Sequence, residues 1–584
     1  MQTSTAPLDA RLSLQRRWVL PAAPDTAAVE RLCRELRLPE PLGRLLAQRG
    51  QGEPPAAREF LRPHAGQIPP PLMAGIGDAV ARLRRAIEQG EPILVHGDYD
   101  VDGICSTALY VRALRMMGAR AEPFVPHRLT DGYDLSDAGI RFAAEVGARL
   151  ILTGDCGIVA HDAVERARKA GIEVIVTDHH TPGATLPAAV AVVNPNRVDC
   201  PYPNKGLAGV GVAYKVCCAL AAELGFPLER LACFVDLVAV ATIADLAPLT
   251  GENRVLVRWG LKVLAATPNP GLRALLKSTG LADKAEITAG QVGFILAPRI
   301  NAVGRMGEAL RGVRLLLTDE EREAEEIAAI LEEENRTRQD VDGQTLREAM
   351  ILLERSYDPG HDRGVVLAAD GWHPGVIGIV ASRVVERIHR PTVMIALDGA
   401  EDGKGSARSI PGFHLYNAIR DCAGHLVRFG GHRAAAGCSI RPENVEAFRG
   451  AFNGCARAAL TEDDLVPEVR IDLELGLPEV DTELYRLLKH ASPFGQGNPT
   501  PVFAARRVDV AGSPRVVGRN HLKLTLAGGG ARLEAIGFGM ADRLRDVNPA
   551  LGPIDVAFKL EENSWNGRTS LQARLVDVRL SELP

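Results

Sequence analysis

Four apolar runs of this chain end in acidic and histidine side chains whose types and spacing suit metal-ion chemistry. The runs lead into the sequences HGDYDVDG, TGDCG, TDHH and TIAD. Carboxylate oxygens and imidazole nitrogens are ligands for hard to borderline divalent cations such as Mn²⁺ and Mg²⁺. The polar side chains at these ends are His96, Asp98, Asp100, Asp102, Asp155, Asp178, His179, His180 and Asp245.

So many carboxylates favour two metal ions over one. Like charges raise one another's pKa, so these groups cannot all stay ionised side by side without cations. Two ions bridged by a carboxylate, for which we predict Asp155, would relieve the repulsion, and paired ions about 4 Å apart commonly hydrolyse phosphate esters. Any single Asp here also fits a helix N-cap, and His179 and His180 alone fit a buried histidine with an exposed neighbour. The joint occurrence at four ends favours the metal site.

The elements that must position these residues alternate between strand and helix. We predict strands at the apolar runs, with helical periodicity and terminal glycines in the segments between them. Near-continuous apolar strands alternating with helices indicate a doubly wound α/β domain, with a parallel sheet covered on both faces, and such sheets bind ligands beyond the carboxyl ends of their strands. The predicted strands are Pro92–Val95, Arg149–Leu152, Ile172–Val176, Ala189–Val193 and Asp236–Ala244.

Composition excludes several classes of protein. The 584 residues suggest about four domains, and 46% are hydrophobic and 24% charged. We find no apolar run long enough to span a bilayer, no hydrophobic signal segment at the N-terminus and no CxxC pair among ten cysteines, which argues against membrane, secreted and zinc-finger proteins. We therefore expect a cytoplasmic bacterial protein with reduced thiols.

The net charge of −5 argues against a nucleic-acid partner only until its distribution is considered. Residues 319–355 contain 13 acidic and 5 basic residues and contribute −8, so the remainder carries +3. Their helical spacing predicts one long connector helix of about 55 Å. The fold we expect is multidomain α/β: an N-terminal extension (1–85), the doubly wound domain (86–318), the connector (319–357), a smaller α/β domain (358–462) and a C-terminal β-barrel (463–584).

The four motifs resemble the signature motifs of the DHH phosphoesterase superfamily, which takes its name from Asp-His-His. APRINAVGRMG (297–307) resembles the motif that follows in the RecJ branch, and GKGSARS (403–409) and FGGHRAAAG (429–437) resemble the associated DHHA1 domain. The resemblance extends from about residue 40 to the C-terminus. It implies a metal-dependent 5′→3′ exonuclease that degrades single-stranded DNA to 5′-mononucleotides in repair and recombination, with two Mn²⁺ or Mg²⁺ ions.

The resemblance also assigns roles around the metals. It implies that Asp178 orients His179 through its ring N–H, and that Asp98 either stabilises its loop or binds metal. His96 precedes Asp100 by four residues, as a metal-binding histidine does in related pyrophosphatases, and is a less secure ligand. The implied ligands are Asp100, Asp102, Asp155, His179, His180 and Asp245.

The second domain is expected to hold substrate phosphate. Ser406, Arg408 and the backbone N–H groups of Gly430 and Gly431 can cradle a phosphate, and His432 is placed to contact the scissile or adjacent phosphate. An ordinary turn remains the alternative for the glycine pair. Arg299, Asn301 and Arg305 suit substrate-phosphate and structural roles equally well.

The C-terminal barrel resembles an OB-fold, which suits single-strand binding. The candidate contacts are Arg519, Lys523, Trp565 and Arg568, each of which also fits an ordinary surface or core position. The expected partner is single-stranded DNA with a 5′ end, and the family adds a single-strand-binding protein and a repair helicase. We expect a monomer that does not bind membranes.

Three other functions remain open. A phosphoesterase of the same superfamily would act on short oligoribonucleotides or nucleotide phosphates, but such proteins usually lack the extension and the barrel. A pyrophosphatase-like protein would not carry the Gly-Gly-His domain. A non-catalytic scaffold would have lost metal ligands, whereas here all are present.

Overall fold

A doubly wound α/β unit forms the first half of the computed structural model, which describes residues 16–128, 130–132, 134–399, 401–565 and 568–582. An N-terminal segment comes first, with strand β1 (Arg17–Val19) and helices α1 (Thr26–Leu36), α2 (Glu40–Gln48) and α3 (Pro54–Leu61). The strands of the unit are β2 (Pro92–Gly97), β3 (Arg120–Phe124), β4 (Leu150–Gly154), β5 (Glu173–Thr177) and β6 (Ala191–Val193). Its helices are α4 (Ile76–Gln89), α5 (Val101–Met116), α6 (Asp137–Glu145), α7 (His161–Lys169), α8 (Gly209–Glu223), α9 (Val235–Ala244), α10 (Gly251–Ala265), α11 (Pro270–Ser278), α12 (Ala297–Met306) and α13 (Leu310–Leu317).

The sheet of this unit confirms the predicted doubly wound fold. Its strands are all parallel, in the order β3-β2-β4-β5-β6. One face packs on α4, α5 and α8, and the other on α6 and α7. Chain order reverses between β2 and β4, and ligands of open α/β sheets bind at such a switch point. The strand β3 was missed by the sequence analysis.

The run Asp236–Ala244 is a helix, so its prediction as a strand was wrong. It forms α9, which is buried on every side, and Asp245 follows as its C-terminal cap. Periodicity cannot separate a fully buried helix from a buried strand, because both are apolar throughout. The predicted position of Asp245 is unaffected, because this residue at the end of α9 still lies with Asp102 and His179 at the sheet edge.

We predict that the free energy of unfolding depends on pH through the buried carboxyl group of Asp236 at the start of α9. Burial raises its pKa from 3.8 to about 6, although Thr267 Oγ1 and the Leu237 N–H donate to its carboxylate. Because the folded-state pKa is raised, this carboxyl stabilises the fold only while protonated, and the benefit is lost as pH rises from about 4 to 6. We expect Asp236→Asn to stabilise the protein by up to about 3 kcal/mol at pH 8 and less at pH 5.

Melting temperatures at both pH values measure this effect. The control is Asp283→Asn, at an exposed carboxyl in the same half of the chain. A constant difference between wild type and Asp236→Asn across that range would contradict the titration of Asp236.

A helix of 36 residues, α14 (Glu321–Ser356), connects the first unit to the second, as the helical spacing of its apolar residues predicted. Its length is about 54 Å at 1.5 Å per residue. Ala324, Ile327 and Leu331 on its first half pack into the core of the first unit. On its second half Leu346, Ala349 and Leu353 belong to a core of the second unit. The helix therefore holds the two units in a defined arrangement.

The second unit is a mixed sheet with helices on both sides. Its strands are β7 (Val365–Asp370), β8 (Thr392–Asp398), β9 (Glu401–Arg408), β10 (Arg428–Gly431) and β11 (Ala435–Ile440), in the order β10-β11-β9-β8-β7. Its helices are α15 (Ile377–Ile388), α16 (Leu415–Asp421) and α17 (Val445–Ala459).

The C-terminal part is a closed barrel of five strands. Two short strands β12 (Glu468–Arg470) and β13 (Leu473–Glu474) and helix α18 (Thr482–Leu488) precede it. The barrel strands are β14 (Phe503–Val517), β15 (His521–Gly528), β16 (Ala531–Gly537), β17 (Ile554–Trp565) and β18 (Arg568–Leu580), closed by pairing of β14 with β17. The N-terminal segment packs on this barrel, with β1 parallel to β12 and buried residues of α1–α3 in one hydrophobic cluster with those of the barrel. Within the described ranges, no helix is long and apolar enough to cross a membrane.

Candidate metal centre

The loop after β2 places three carboxylates at the switch point of the sheet. Asp100 caps α5, and its Oδ1 accepts hydrogen bonds from the N–H groups of Asp102 (2.9 Å) and Gly103 (3.1 Å). The Asp102 carboxylate accepts the N–H groups of Gly209 (2.6 Å) and Val210 (2.7 Å) at the start of α8. The N-cap alternative is thus correct for Asp100, but helix capping does not account for the other acidic residues of the cluster.

Asp155 lies at the centre of the site. Its backbone adopts φ 66°, a left-handed conformation that is unfavourable for a residue other than glycine and is typical of functional sites. Its Oδ1 lies 3.0 Å from His179 Nε2, and both atoms are buried without a hydrogen-bond partner among the described residues. Such buried, unsatisfied donors and acceptors are costly unless a ligand completes them.

Donor atoms at this edge form three groups of three residues, and within each group the ligand atoms lie within 4.8 Å of one another. Asp155 belongs to two of them, as expected of a bridging carboxylate. Asp98 belongs to one, and its buried Oδ1 has no hydrogen-bond partner in the described part of the chain, so its geometry is that of a donor. The groups are Asp155 with His179 and His180, Asp102 with His179 and Asp245, and Asp98 with Asp100 and Asp155. The donor set fits hard divalent ions.

Asp178 orients His180, whereas the sequence analysis had expected it to orient His179. His180 Nδ1 lies 2.8 Å from Asp178 Oδ1, which also accepts the N–H groups of His179 and His180 at 2.7 and 3.0 Å. The same Asp178 oxygen therefore contacts both backbone N–H groups and the ring of His180. Asp178 remains in a supporting position, fully buried behind the donors.

His96 lies in none of the three donor groups of the described residues. Its ring is fully buried, with Nε2 3.4 Å from the Ser136 N–H and Nδ1 3.8 Å from Cys156 Sγ. Burial lowers its pKa to about 4. This placement gives no support to the prediction that His96 binds metal, and suggests that it fixes the loop before α6.

Burial and mutual repulsion act on the acids as the sequence analysis expected. Burial, followed by neighbouring carboxylates, raises the pKa of Asp98, Asp102 and Asp155, and raises that of Asp245 to about 7. Burial also opposes the charge on His180, but the hydrogen bond with Asp178 and the charges of Asp178, Asp245 and Asp100 together outweigh it and raise the His180 pKa to about 9. Such a cluster calls for cations.

Three guanidinium groups lie near one another where the two α/β units meet. Burial, then the charges of Arg128, Arg338 and Arg408, lowers the pKa of Arg305 to about 10. Burial, then Arg128, also lowers that of Arg408. Within the described residues, none of Arg128, Arg305 and Arg408 has a carboxylate ion-pair partner. Repelling, unpaired cations favour an anion, and the carboxylates of the metal centre lie nearby, since Asp100 acts on Arg305.

Arg128 was missed because strand β3 was missed. It follows β3 at the same edge of the sheet as the metal donors, and its guanidinium lies over the Tyr99 ring at 4.9 Å. Had VPHR after the run 120–124 been recognised as a strand end, the same rule that found Asp155 would have found Arg128.

Comparison with known proteins follows the same division of the chain. Family models match residues 92–242 (DHH family, N-terminal domain), 361–458 (DHHA1 domain) and 471–577 (RecJ OB domain). Proteins called "Single-stranded-DNA-specific exonuclease RecJ" from Dickeya dadantii and Escherichia coli are 41% and 40% identical, each over 92% of this chain and 95% of the relative. This chain belongs to the RecJ family.

Solved RecJ structures share its fold. RecJ from Thermus thermophilus in complex with Mn²⁺ aligns with a TM-score of 0.83 at 34% identity, over 97% of this chain and 80% of that one. The same protein with Mg²⁺ aligns with a TM-score of 0.77 at 33% identity, over 97% of this chain and 79% of that one. This Thermus thermophilus relative thus binds the ions that the donor chemistry here favours.

The predicted substrate-binding residues of the second unit differ in their contacts and exposure. Arg408 donates to Ser406 Oγ (3.2 Å), and a Cβ at Gly378 would lie 2.8 Å from that oxygen. Gly430 and Gly431 lie exposed on the edge strand β10, where Gly431 has φ 143°, and His432 is exposed after it. Ser406 and Arg408 therefore contact each other and lie against Gly378 of α15, whereas the glycine pair and His432 are exposed.

Two residues of the APRINAVGRMG motif have structural contacts. Asn301 Oδ1 accepts the Val101 N–H at 3.2 Å and so holds the metal loop. Arg299 pairs with Glu332 of α14 at 2.5 Å and donates to the Ile295 carbonyl. For these two residues the geometry favours the structural alternative.

On the barrel, the predicted contacts differ in availability. Arg519 is exposed after β14, while Lys523 donates to Gln572 (3.0 Å) and lies 3.2 Å from Glu534. The side chains of Trp565 and Arg568 lie outside the described residues. An aromatic side chain that the sequence analysis missed is Phe538, 48% exposed, with Arg574 over its ring at 5.1 Å.

Gly209 provides a test of the metal centre. A Cβ at this position would lie 2.7 Å from Asp155 Oδ1, so Gly209→Ala must displace that carboxylate. We expect the Mn²⁺ affinity to fall at least about tenfold, as for other changes that misplace a ligand. Calorimetric titration with Mn²⁺ measures it, with Gly454→Ala of α17, where a Cβ meets open space, as control. Unchanged affinity would argue against a ligand role for Asp155.

Proposed function

We propose that this chain is a metal-dependent exonuclease that removes mononucleotides from the 5′ end of single-stranded DNA. The observation that carries the proposal is the juxtaposition of two sites. Donor groups centred on Asp155 lie at the sheet edge, and three unpaired guanidinium groups lie beside them in the described part of the chain. The names of the relatives, single-stranded-DNA-specific exonucleases, support the same substrate.

The proposed metal ligands are those that the three groups contain. Two Mn²⁺ or Mg²⁺ ions there would supply an activated water and neutralise charge on the phosphate that is attacked. The protein's own part is to place the ligands: α8 holds Asp102 through two N–H groups, Asp178 holds His180, and Asp155 belongs to two of the three groups. The ligand set is Asp98, Asp100, Asp102, Asp155, His179, His180 and Asp245.

We propose that the guanidinium cluster, formed by Arg128, Arg305 and Arg408, determines the 5′→3′ direction of hydrolysis. A terminal phosphate carries more negative charge than an internal one, and guanidinium groups bind phosphate oxygens in a bidentate manner. Arg128, Arg305 and Arg408 would hold the 5′-terminal phosphate while the next phosphate lies at the metals. Gly430, Gly431 and His432 are proposed to contact the strand nearby.

The cellular setting is also proposed on the strength of the family. We infer that the protein acts in the cytoplasm as a monomer, with a single-strand-binding protein and a repair helicase as partners. The barrel, with Arg519 and Phe538, would hold the strand beyond the active site, because bases stack on aromatic rings whatever their sequence.

Strands labelled at the 5′ or the 3′ end test the proposal. With Mn²⁺ or Mg²⁺, a 5′ label should appear at once as mononucleotide, whereas a 3′ label should pass through progressively shorter strands. Chelator should stop both reactions. A series of strands from dinucleotides to long oligonucleotides separates the short-oligonucleotide alternative, because failure to degrade the long strands would contradict the proposal.

A further inference from the structure

One histidine of the second unit lies beside the guanidinium cluster and is used by nothing described so far. His373 belongs to the loop between β7 and α15, which faces the first unit. The carbonyl of Gly375 in this loop accepts a hydrogen bond from Arg305 at 3.0 Å. The loop continues into Gly378, where a Cβ would lie 2.9 Å from Arg408 Nη2. The His373 loop therefore runs from Arg305 to Arg408.

The backbone fixes which ring nitrogen of His373 carries the proton. The Gly375 N–H donates to His373 Nδ1 at 3.0 Å, so Nδ1 is an acceptor and the neutral ring is protonated on Nε2. No hydrogen bond to Nε2 occurs among the residues that the structure describes. The loop thus holds a fixed Nε2–H donor at the edge of the cluster.

The charges around this ring favour an anion as its partner. Burial, and then the positive charge of Arg128, lowers the pKa of His373, so the ring is neutral near pH 7. Arg305 and Arg408 flank its loop, and no carboxylate contributes to the shift. A neutral donor among cations gains most from a negatively charged acceptor.

We propose that His373 Nε2–H donates a hydrogen bond to the 5′-terminal phosphate of the DNA strand and so contributes to selection of 5′-phosphorylated ends. The proposal rests on the proposed function in one respect, namely that a terminal phosphate occupies the guanidinium cluster. His373 then acts as a binding residue contributed by the second unit, opposite Arg128 from the first unit. The same strand end is thereby held by both units.

Two substitutions of His373 distinguish the role of Nδ1 as an acceptor from the role of Nε2 as a donor. His373→Asn places an oxygen where Nδ1 is, keeps an acceptor for the Gly375 N–H and removes the donor. His373→Gln places an amide N–H near the position of Nε2. Two matched single strands, one with a 5′-phosphate and one with a 5′-hydroxyl, serve as substrates for the full-length protein with Mn²⁺.

For His373→Asn we expect kcat/KM to fall about tenfold on the 5′-phosphorylated strand, mostly through KM, and to stay unchanged on the 5′-hydroxyl strand. That factor is the lower end of what a hydrogen bond to a charged group contributes. His373→Gln should retain activity within about threefold of wild type. Equal losses on both strands, no loss on either, or failure of Gln to rescue would each overturn the proposal.

Binding without turnover distinguishes this proposal from the proposed function. Fluorescence anisotropy of 3′-labelled strands in chelator should show tighter binding of the 5′-phosphorylated strand, and His373→Asn should remove about tenfold of that preference. A wild-type protein that prefers 5′-phosphate but hydrolyses neither strand contradicts the exonuclease proposal alone. A wild-type protein without the preference overturns the role of His373.

Discussion

Replacing Asp155 with asparagine is expected to lower the rate of single-strand hydrolysis at least about 1000-fold. Asp155 supplies an oxygen to two of the three donor groups, so its loss weakens both proposed ion sites at once. Charge stabilisation by such ions is worth several kcal/mol, and each 1.36 kcal/mol changes a rate tenfold. Initial rates on 5′-labelled strands at saturating Mn²⁺ measure the effect.

The same substitution should stabilise the metal-free protein. Burial, and then the charges of Asp102 and Asp100, raises the pKa of Asp155, so its ionised form opposes folding at neutral pH. That cost is absent at low pH and grows as pH rises through the raised pKa. We therefore expect a higher melting temperature for Asp155→Asn in chelator at pH 8, together with loss of the stabilisation by Mn²⁺.

An exposed carboxylate on α6 is the control. Asp137 pairs with Arg166 at 2.7 Å, with 58% of its side chain exposed, and Asp137→Asn should change neither activity nor the response to Mn²⁺. Retained hydrolysis by Asp155→Asn would contradict the assigned site. A loss of activity with a lower melting temperature in chelator would show misfolding instead of ligand loss.

Replacing Arg408 with alanine is expected to lower kcat/KM on 5′-phosphorylated strands about 100-fold while leaving Mn²⁺ affinity unchanged. A charge-assisted hydrogen bond contributes about 1.5–3 kcal/mol, and a bidentate guanidinium contact lies at the upper end. Arg408 donates to Ser406 and the Ala407 carbonyl but has no described carboxylate partner, so its charge is available to the substrate. Steady-state kinetics and a Mn²⁺ titration measure the two quantities.

Two further variants make this prediction specific. Arg408→Lys keeps the charge but loses the bidentate geometry, and should recover only part of the activity. Arg387→Ala, at an exposed position of α15, serves as the control for loss of a guanidinium. An Arg408→Ala protein with normal kcat/KM, or with weakened Mn²⁺ binding, would argue against a phosphate role.

Most of the donor cluster of the candidate metal centre was predictable from the sequence because parallel sheets bring the carboxyl ends of their strands to one edge. Asp100, Asp155 and His179 are separated by 79 residues, yet their apolar runs predict their juxtaposition. The long helix was equally predictable, since α14 carries its buried residues at helical spacing over 36 residues. Local pattern suffices wherever the element type and the topological rule are both unambiguous.

Tertiary structure decided the rest, in each case because contacts distant in sequence determine it. Residues 235–244 form a helix that is apolar on every side, so the periodicity of a short window could not separate it from a buried strand. The meeting of the two units assembles Arg128 with Arg305 and Arg408, and places His373 beside them. The sequence alone thus determined which donor types meet at the candidate metal site. Only packing between the units brought together the cations that we propose hold the substrate phosphate, because they come from separate parts of the chain.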